Sequence, residues 1–177
     1  MVAYIKSDLY RYTGKTNISS FIKIFIISSA FRLQVYIRMC KSSSIAKCIG
    51  LILYYLFRII HKNLQISYKC DIGYGLYIGH DGPVVISRYT KIGDNCNLSQ
   101  FTTIGTNNDS GATIGNNVYI GPNTCIVGAV EIGNNVTIGA GSVVTKNIPD
   151  NATAAGNYAK VLNFNNPGRF IHNIWKG

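Results

Sequence analysis

Acidic residues are scarce in this chain: 7 Asp and Glu stand against 17 Lys and Arg in 177 residues, a formal net charge of +10. Histidine, proline and tryptophan are also few, at 3, 4 and 1. The five cysteines, Cys40, Cys48, Cys70, Cys96 and Cys125, form no C-x-x-C pair and are odd in number. A disulfide framework is therefore not expected, no zinc-finger spacing is present, and a reducing cytoplasm fits best. Long hydrophobic runs are missing too. The apolar stretches Ile22 to Phe31 and Ile49 to Ile60 are broken by Lys23, by serines or by Arg58, and each falls short of the ~20 residues of a spanning helix. Neither has the layout of a signal peptide, and no aromatic-basic pattern of a nucleic-acid reader is found.

What is present is a composition of 47% hydrophobic and 14% charged residues, that of a packed globular protein rather than a disordered one. The length allows one domain with a real core plus a smaller accessory segment. The positive charge is gathered at the N-terminal end, where Lys6, Arg11, Lys15, Lys23, Arg32, Arg38, Lys41, Lys47, Arg58, Lys62 and Lys69 face only Asp8. Such an imbalance suits anionic lipid head groups, an acidic glycan, or plain solvation, so peripheral membrane contact stays open.

From about Asn17 to His61 the spacing predicts helix. Phe21 and Phe25, and Ile22 and Ile26, recur at i+4, with Lys23, Arg32 and Arg38 off that stripe. Ser42-Ser43-Ser44 interrupts, and Ser44 is a candidate N-cap for a second helix through Leu51, Tyr55 and Ile59. The helices are expected to pack on whatever follows.

From Ile66 the period becomes six. The aliphatic positions run Ile66, Ile72, Ile78, Val84; then Ile86, Ile92, Leu98, Ile104; then Ile114, Ile120, Ile126, Ile132, Ile138, Val144. A two-residue slip falls between the first two runs, and an insertion around Asn107 to Gly111 between the last two. Glycine often follows the aliphatic, and the third residue after it is often Asn or Gly, as at Gly75, Asn95, Asn117, Asn123, Asn135 and Gly141. These enter left-handed backbone conformations at least cost, so each hexapeptide reads as one short strand and one corner. The fourth position is small or β-branched (Cys70, Cys96, Thr102, Val118, Thr124, Val136, Ser142), as an inward site in a narrow prism requires. Three hexapeptides close one triangular coil.

This region resembles the hexapeptide-repeat acyltransferase superfamily over about Ile66 to Leu162. The stretches Gly75-Leu76-Tyr77-Ile78-Gly79-His80, Ile138-Gly139-Ala140-Gly141-Ser142-Val143-Val144-Thr145-Lys146 and Ala154-Ala155-Gly156-Asn157-Tyr158-Ala159-Lys160 are similar to its serine acetyltransferase branch and to relatives in bacterial surface-polysaccharide synthesis. Tyr158 departs from the pattern, standing where proline is common. The resemblance implies a mainly β protein, a left-handed parallel β-helix over residues 65–162, with an N-terminal helical segment (1–64) and a C-terminal tail (163–177). It also implies a homotrimer with sites between subunits, and acetyl-CoA as co-substrate.

The resemblance places the catalytic histidine at His80. Counting three hexads per coil sets Gln100, Pro122 and Ala140 in one corner column with it, spaced by about 4.8 Å as adjacent strands are. The donor would lie along that corner, with Pro122 and Ala140 lining it and Thr145, Lys146 and Lys160 toward its nucleotide end, where lysines suit phosphate. Gln100 is the better second partner for His80. Asp81 shares the corner position of Asn95 and Asn117 and reads first as a turn residue.

The family's serine-acetylating members carry an aspartate before the histidine, whose place falls near Gln65, and an Arg-His pair in the loop that here reads Thr106-Asn107-Asn108-Asp109-Ser110-Gly111. Neither is present, so the expected acceptor is a sugar or polysaccharide hydroxyl, with serine as the alternative. A carbonic anhydrase on this helix would need three histidines for zinc, and only His80 lies in the repeat, so no metal is expected. A non-catalytic β-helix scaffold is the remaining class. Work in the cytoplasm, at the inner face of the membrane, would suit the basic helical segment.

Overall fold

The computed structural model describes residues 1–43, 45–107 and 109–177. The hexad aliphatics turn inward and stack coil on coil into a left-handed parallel β-helix with three flat faces. The first face stacks β1 (Leu64–Ile66), β4 (Val84–Ile86), β7 (Thr102–Gly105), β10 (Cys125–Val127) and β13 (Val143–Val144). A second face holds β2 (Asp71–Ile72), β5 (Lys91–Ile92), β8 (Thr113–Ile114) and β11 (Glu131–Ile132). The third holds β3 (Tyr77–Ile78), β6 (Asn97–Leu98), β9 (Tyr119–Ile120), β12 (Thr137–Ile138) and β14 (Thr153–Ala155), closed by β15 (Lys160–Asn163), which runs antiparallel.

Register follows the hexads. Ile78 pairs with Leu98, Leu98 with Ile120, and Ile120 with Ile138. The expected inward sites Cys70, Cys96, Thr102, Val118, Thr124, Val136 and Ser142 are all wholly buried. All five cysteines are free thiols. Burial pushes those of Cys70 and Cys96 up to about 12, so they stay un-ionised at neutral pH.

The corner residues adopt the left-handed conformation that the Asn and Gly positions announce: Gly75, Asn95, Asn117, Asn123, Asn135 and Gly141 have φ between 56° and 69°. Between the second and third faces a ladder of side chains ties one coil to the next. Asp94 accepts from the Tyr74 N–H, Asn116 from Asp94, Asn134 from Asn116, and Asp150 from Asn134, at 2.6 to 2.9 Å.

One boundary moves. Val84 pairs with Leu64 and Thr102, while Ile86 pairs with Ile66 and Ile104. The two-residue slip therefore lies in the corner between Ile78 and Val84 rather than between Val84 and Ile86. Pure hexad counting cannot see this, because Val84 falls in step with Ile78 and is buried in either register.

The N-terminal region holds four helices, α1 (Val2–Thr13), α2 (Ile18–Ile27), α3 (Ser29–Cys40) and α4 (Ile45–Ile60). The helical spacing caught the last three but missed α1 and the break at Ser28, whose hydroxyl accepts from the Phe31 N–H as the α3 cap. The cap expected of Ser44 lies outside the described residues. The first coil would otherwise present bare strand edges, which water or another chain would have to satisfy. Side chains of α1 and α3 do so instead. Ser7 and Asp8 accept from the Gly75 and Leu76 N–H groups, and Gln34 donates to the Leu76 carbonyl. Arg38 donates to the Ile72 and Gly73 carbonyls while gripping Asp8 through two bonds of 2.9 and 3.0 Å.

The tail runs back along the β-helix from Gly168 to Trp175. Gly168 donates to the Asn135 carbonyl, Asn97 to the Phe170 carbonyl, and Asn95 exchanges two bonds with Trp175.

Candidate active site

His80 sits on the corner between the third and first faces, exposed, where β3 gives way to β4. The two extra residues of the first coil fall here and change which residue makes the turn. Asp81 is third after its aliphatic, as Asn95 and Asn117 are, yet the left-handed residue is His80, with φ 64°. The expectation that Asp81 occupies the same turn position is corrected accordingly. A left-handed non-glycine residue is uncommon and marks a backbone held by its surroundings.

The holding groups are visible. The Asp81 carboxylate accepts from the Ser28 hydroxyl at 3.1 Å and from the Ser29 and Ala30 N–H groups at 3.1 and 2.9 Å. It thus sits at the N-terminus of α3, where orphan N–H groups and the helix dipole favour an anion. Asn63 donates to the Asp81 carbonyl at 3.1 Å. On the other side of His80, the Tyr12 hydroxyl bridges the N–H and carbonyl of Ile78, each at 3.2 Å. Burial raises the pKa of that hydroxyl, so it acts as a neutral bridge. Asp81 is therefore engaged by α3 and fixes the backbone beside His80 instead of orienting the imidazole.

The strand register sets Gln100, Pro122 and Ala140 two residues beyond Leu98, Ile120 and Ile138, one above another as the hexad count expects, but in the first coil the place below Gln100 is taken by Gly82 and Pro83 rather than by His80. Phe101 donates its N–H to the Pro83 carbonyl, Asn123 to Gln100 and Gly141 to Pro122, so the corner is laddered from coil to coil. Gln100 packs against Gly82, where a Cβ would come within 2.6 Å of the Gln100 Cβ. Its Oε1 is buried with no hydrogen-bond partner among the described residues. That leaves an unpartnered acceptor one coil above Gly82, in the corner to which His80 belongs.

Sequence reasoning passed over Phe101, which is 51% exposed with φ 61°. An aromatic residue at a left-handed corner where Asn and Gly serve elsewhere was the signal that could have found it.

The remaining site residues spread out. Ala140 is exposed on the His80 corner. Thr145 and Lys146 follow β13 and stand exposed on the next corner, between the first face and the Ile148 bridge to Ile132. Lys160 opens β15 and is paired with Ala155. Thr145 and Lys146 thus follow the last strand of the first face, and Lys160 lies on the strand that closes the third. Gln65 lies exposed on β1, paired with Val85, and donates to the Lys62 carbonyl. In the loop after β7, Thr106 donates to the Ser110 carbonyl and Tyr89 to Asp109, while Asn108 lies outside the described residues. No group of three or more metal-ligating side chains occurs among the described residues.

The three-sided coil of hexapeptide repeats defines the chain as a left-handed β-helix protein. Residues 111–146 match the family described as bacterial transferase hexapeptide (six repeats), and the chain belongs to that family. It is 43% identical over 95 residues to the mitochondrial serine acetyltransferase 3 of Arabidopsis thaliana, matching 51% of this chain but only 24% of that relative. It is 39% identical over 112 residues to the putative colanic acid biosynthesis acetyltransferase WcaB of Escherichia coli, covering 60% of this chain and 69% of that protein. The soybean serine acetyltransferase apoenzyme superimposes with a TM-score of 0.73 and 26% identity, over 90% of this chain and 67% of that one. The chain thus spans about a quarter of the plant relative's length.

Proposed function

We propose that this protein is an acetyl-CoA-dependent O-acetyltransferase with His80 as general base. The observation that supports the reading is the corner itself: an exposed left-handed histidine between Ile78, which Tyr12 holds, and Asp81, which α3 holds, one coil below the Gln100, Pro122 and Ala140 column. The resemblance puts the donor along such a corner, with Thr145, Lys146 and Lys160 toward its phosphates. An alcohol is a weak nucleophile at neutral pH. His80 accepts the hydroxyl proton as the oxygen bonds to the acetyl carbon, the carbon–sulfur bond breaks, and the proton passes to the departing thiolate. Gln100, whose Oε1 is unpartnered in the same corner one coil up, is the second partner this reading gives to His80.

Two acceptors draw on different observations. The similar proteins more often bear the name serine acetyltransferase, which favours serine. The residues of this chain favour a sugar or polysaccharide hydroxyl. Gln65 and the Thr106 to Gly111 loop lack the carboxylate and the Arg-His pair that the resemblance associates with serine, and the colanic acid relative is covered over most of its length. A homotrimer with sites between subunits, in the cytoplasm and attached peripherally to the inner membrane face, goes with this reading. The partly exposed Val85, Phe101 and Val127 beside the His80 corner support a subunit contact there.

Purified protein given labelled acetyl-CoA and either serine or surface-polysaccharide precursors tests it. His80→Ala should lower turnover by about 10²- to 10⁴-fold with an unchanged melting temperature. Equal turnover in that variant rejects the base, and a wild type inactive on both acceptors favours the scaffold. O-Acetylserine as the main product decides for serine.

A further inference from the structure

The helices pack inward as expected through Phe21, Ile24 and Phe25 of α2 and through Tyr54 and Phe57 of α4, yet both keep a second apolar face outside. No residue of α2 is buried, and Ile18, Ile22, Ile26 and Ile27 are each at least half exposed. On α4 the inward residues are Gly50, Tyr54 and Phe57, while Ile52, Leu56, Ile59 and Ile60 face out. Two helices presenting this much aliphatic surface form a patch that a soluble monomer rarely carries without a partner.

The two faces adjoin. Tyr36 of α3 touches Phe25 of α2 and Phe57 of α4 with its ring. Arg32 donates to the Phe25 and Ile26 carbonyls and lines a groove with Leu56 and Ile60. The surroundings are cationic. On the far flank of α4 a groove of about 430 Å³ is lined by Tyr55, Ile59 and Tyr68 with Arg58, Lys69 and Arg88, and it has no carboxylate in its lining. Lys23 and Lys47 are exposed on the helices themselves.

We propose that the α2 and α4 faces dock on an anionic lipid bilayer, with the isoleucines entering the interface and the Arg58, Lys69 and Arg88 groove meeting phosphate head groups. Apolar residues along one helix face with cations around them are the pattern of a helix lying in a membrane surface. Charge complementarity selects a bilayer over a second copy, because two such copies would bring Lys23, Lys47, Arg58 and Lys69 together with no carboxylate paired to them among the described residues, while Arg88 is tied through Tyr89 to Asp109. No single helix is long and apolar enough to cross a membrane among the described residues. The docked surface also ends at the His80 corner: α2 runs into Ser28 and α4 leads to Asn63, both bonded to Asp81. An acceptor carried at the membrane surface would therefore meet His80 directly, although docking itself does not depend on which acceptor is used.

Co-sedimentation of the full chain with vesicles of phosphatidylcholine plus phosphatidylglycerol, and of phosphatidylcholine alone, reads this directly. The expected result is binding to the anionic vesicles that weakens with salt. Ile22→Ser with Ile26→Ser, and separately Ile52→Ser with Ile59→Ser, should each weaken binding at least tenfold while the melting temperature holds. Absence of binding to anionic vesicles, or binding untouched by both double variants, overturns the proposal. So does a larger assembly in light scattering that these variants dissolve while vesicle binding is absent, since the face would then join copies of the chain.

Discussion

The β-helix and the helical region before it use similar aliphatic side chains to opposite ends. In the β-helix, one aliphatic per hexapeptide points inward, so Ile78, Leu98, Ile120 and Ile138 are at most 1% exposed. In α2 and α4 isoleucine is as plentiful but much of it faces out, where Ile18, Ile26 and Ile60 are at least 70% exposed. A coil buries its apolar row because the next coil is always there to cover it. A helix buries its stripe only if something packs on it, and α3 covers a single side of its neighbours. Hydrophobic spacing thus fixes burial in the repeat but leaves it undecided in the helices.

The sharpest break in this contrast should come where the two regions meet. Asp8 and Arg38 are 1% and 3% exposed and join α1 to α3 beneath the first coil. Asp8→Ala removes the partner of a buried guanidinium and the acceptor for the Leu76 N–H, so it should cost about 3–5 kcal/mol in denaturant unfolding. A loss below about 1 kcal/mol, the range of an exposed pair, would show that water reaches Arg38 and that the helical cap is loose.

Next in size is a matched pair. Ile120→Ala empties the middle of the prism, where coils above and below prevent collapse, and should cost about 2–5 kcal/mol. Ile22→Ala, on a face without cover, should change stability by less than about 0.5 kcal/mol. Equal costs would mean that the α2 face is covered in solution, by another copy of the chain or by part of its own.

Much of this was legible beforehand, for identifiable reasons. A strict period of six with Asn and Gly at the turns leaves few ways to fold, so the faces, the inward Cys70 and Ser142, and the Gln100, Pro122 and Ala140 column could be read from spacing. The slip could not be placed, because a corner insertion and a strand shift leave the same count of residues between Ile78 and Ile86. The role of Asp81 was hidden for a related reason. Its partners Ser28, Ser29 and Ala30 lie more than 50 residues away, and nothing local announces a helix end arriving at that corner. Ser7, Asp8 and Tyr12 on α1 escaped notice because the helix pattern there is weak and its task is to satisfy strand edges.

The smallest effect concerns Asp81, and it tests whether the helical region does more for the site than close an open coil. If the carboxylate only caps α3, Asp81→Ala should cost about 0.5–2 kcal/mol of stability, as a lost cap does. Because the same residue fixes the backbone next to His80, turnover should fall as well, by far less than in His80→Ala. Asp81→Asn keeps an oxygen for the Ser29 or Ala30 N–H and should recover most of both losses. A stability loss with unchanged kcat and KM would confine Asp81 to capping. A fall in kcat with KM unchanged, restored by Asn, would show that α3 holds the histidine in the geometry the reaction needs.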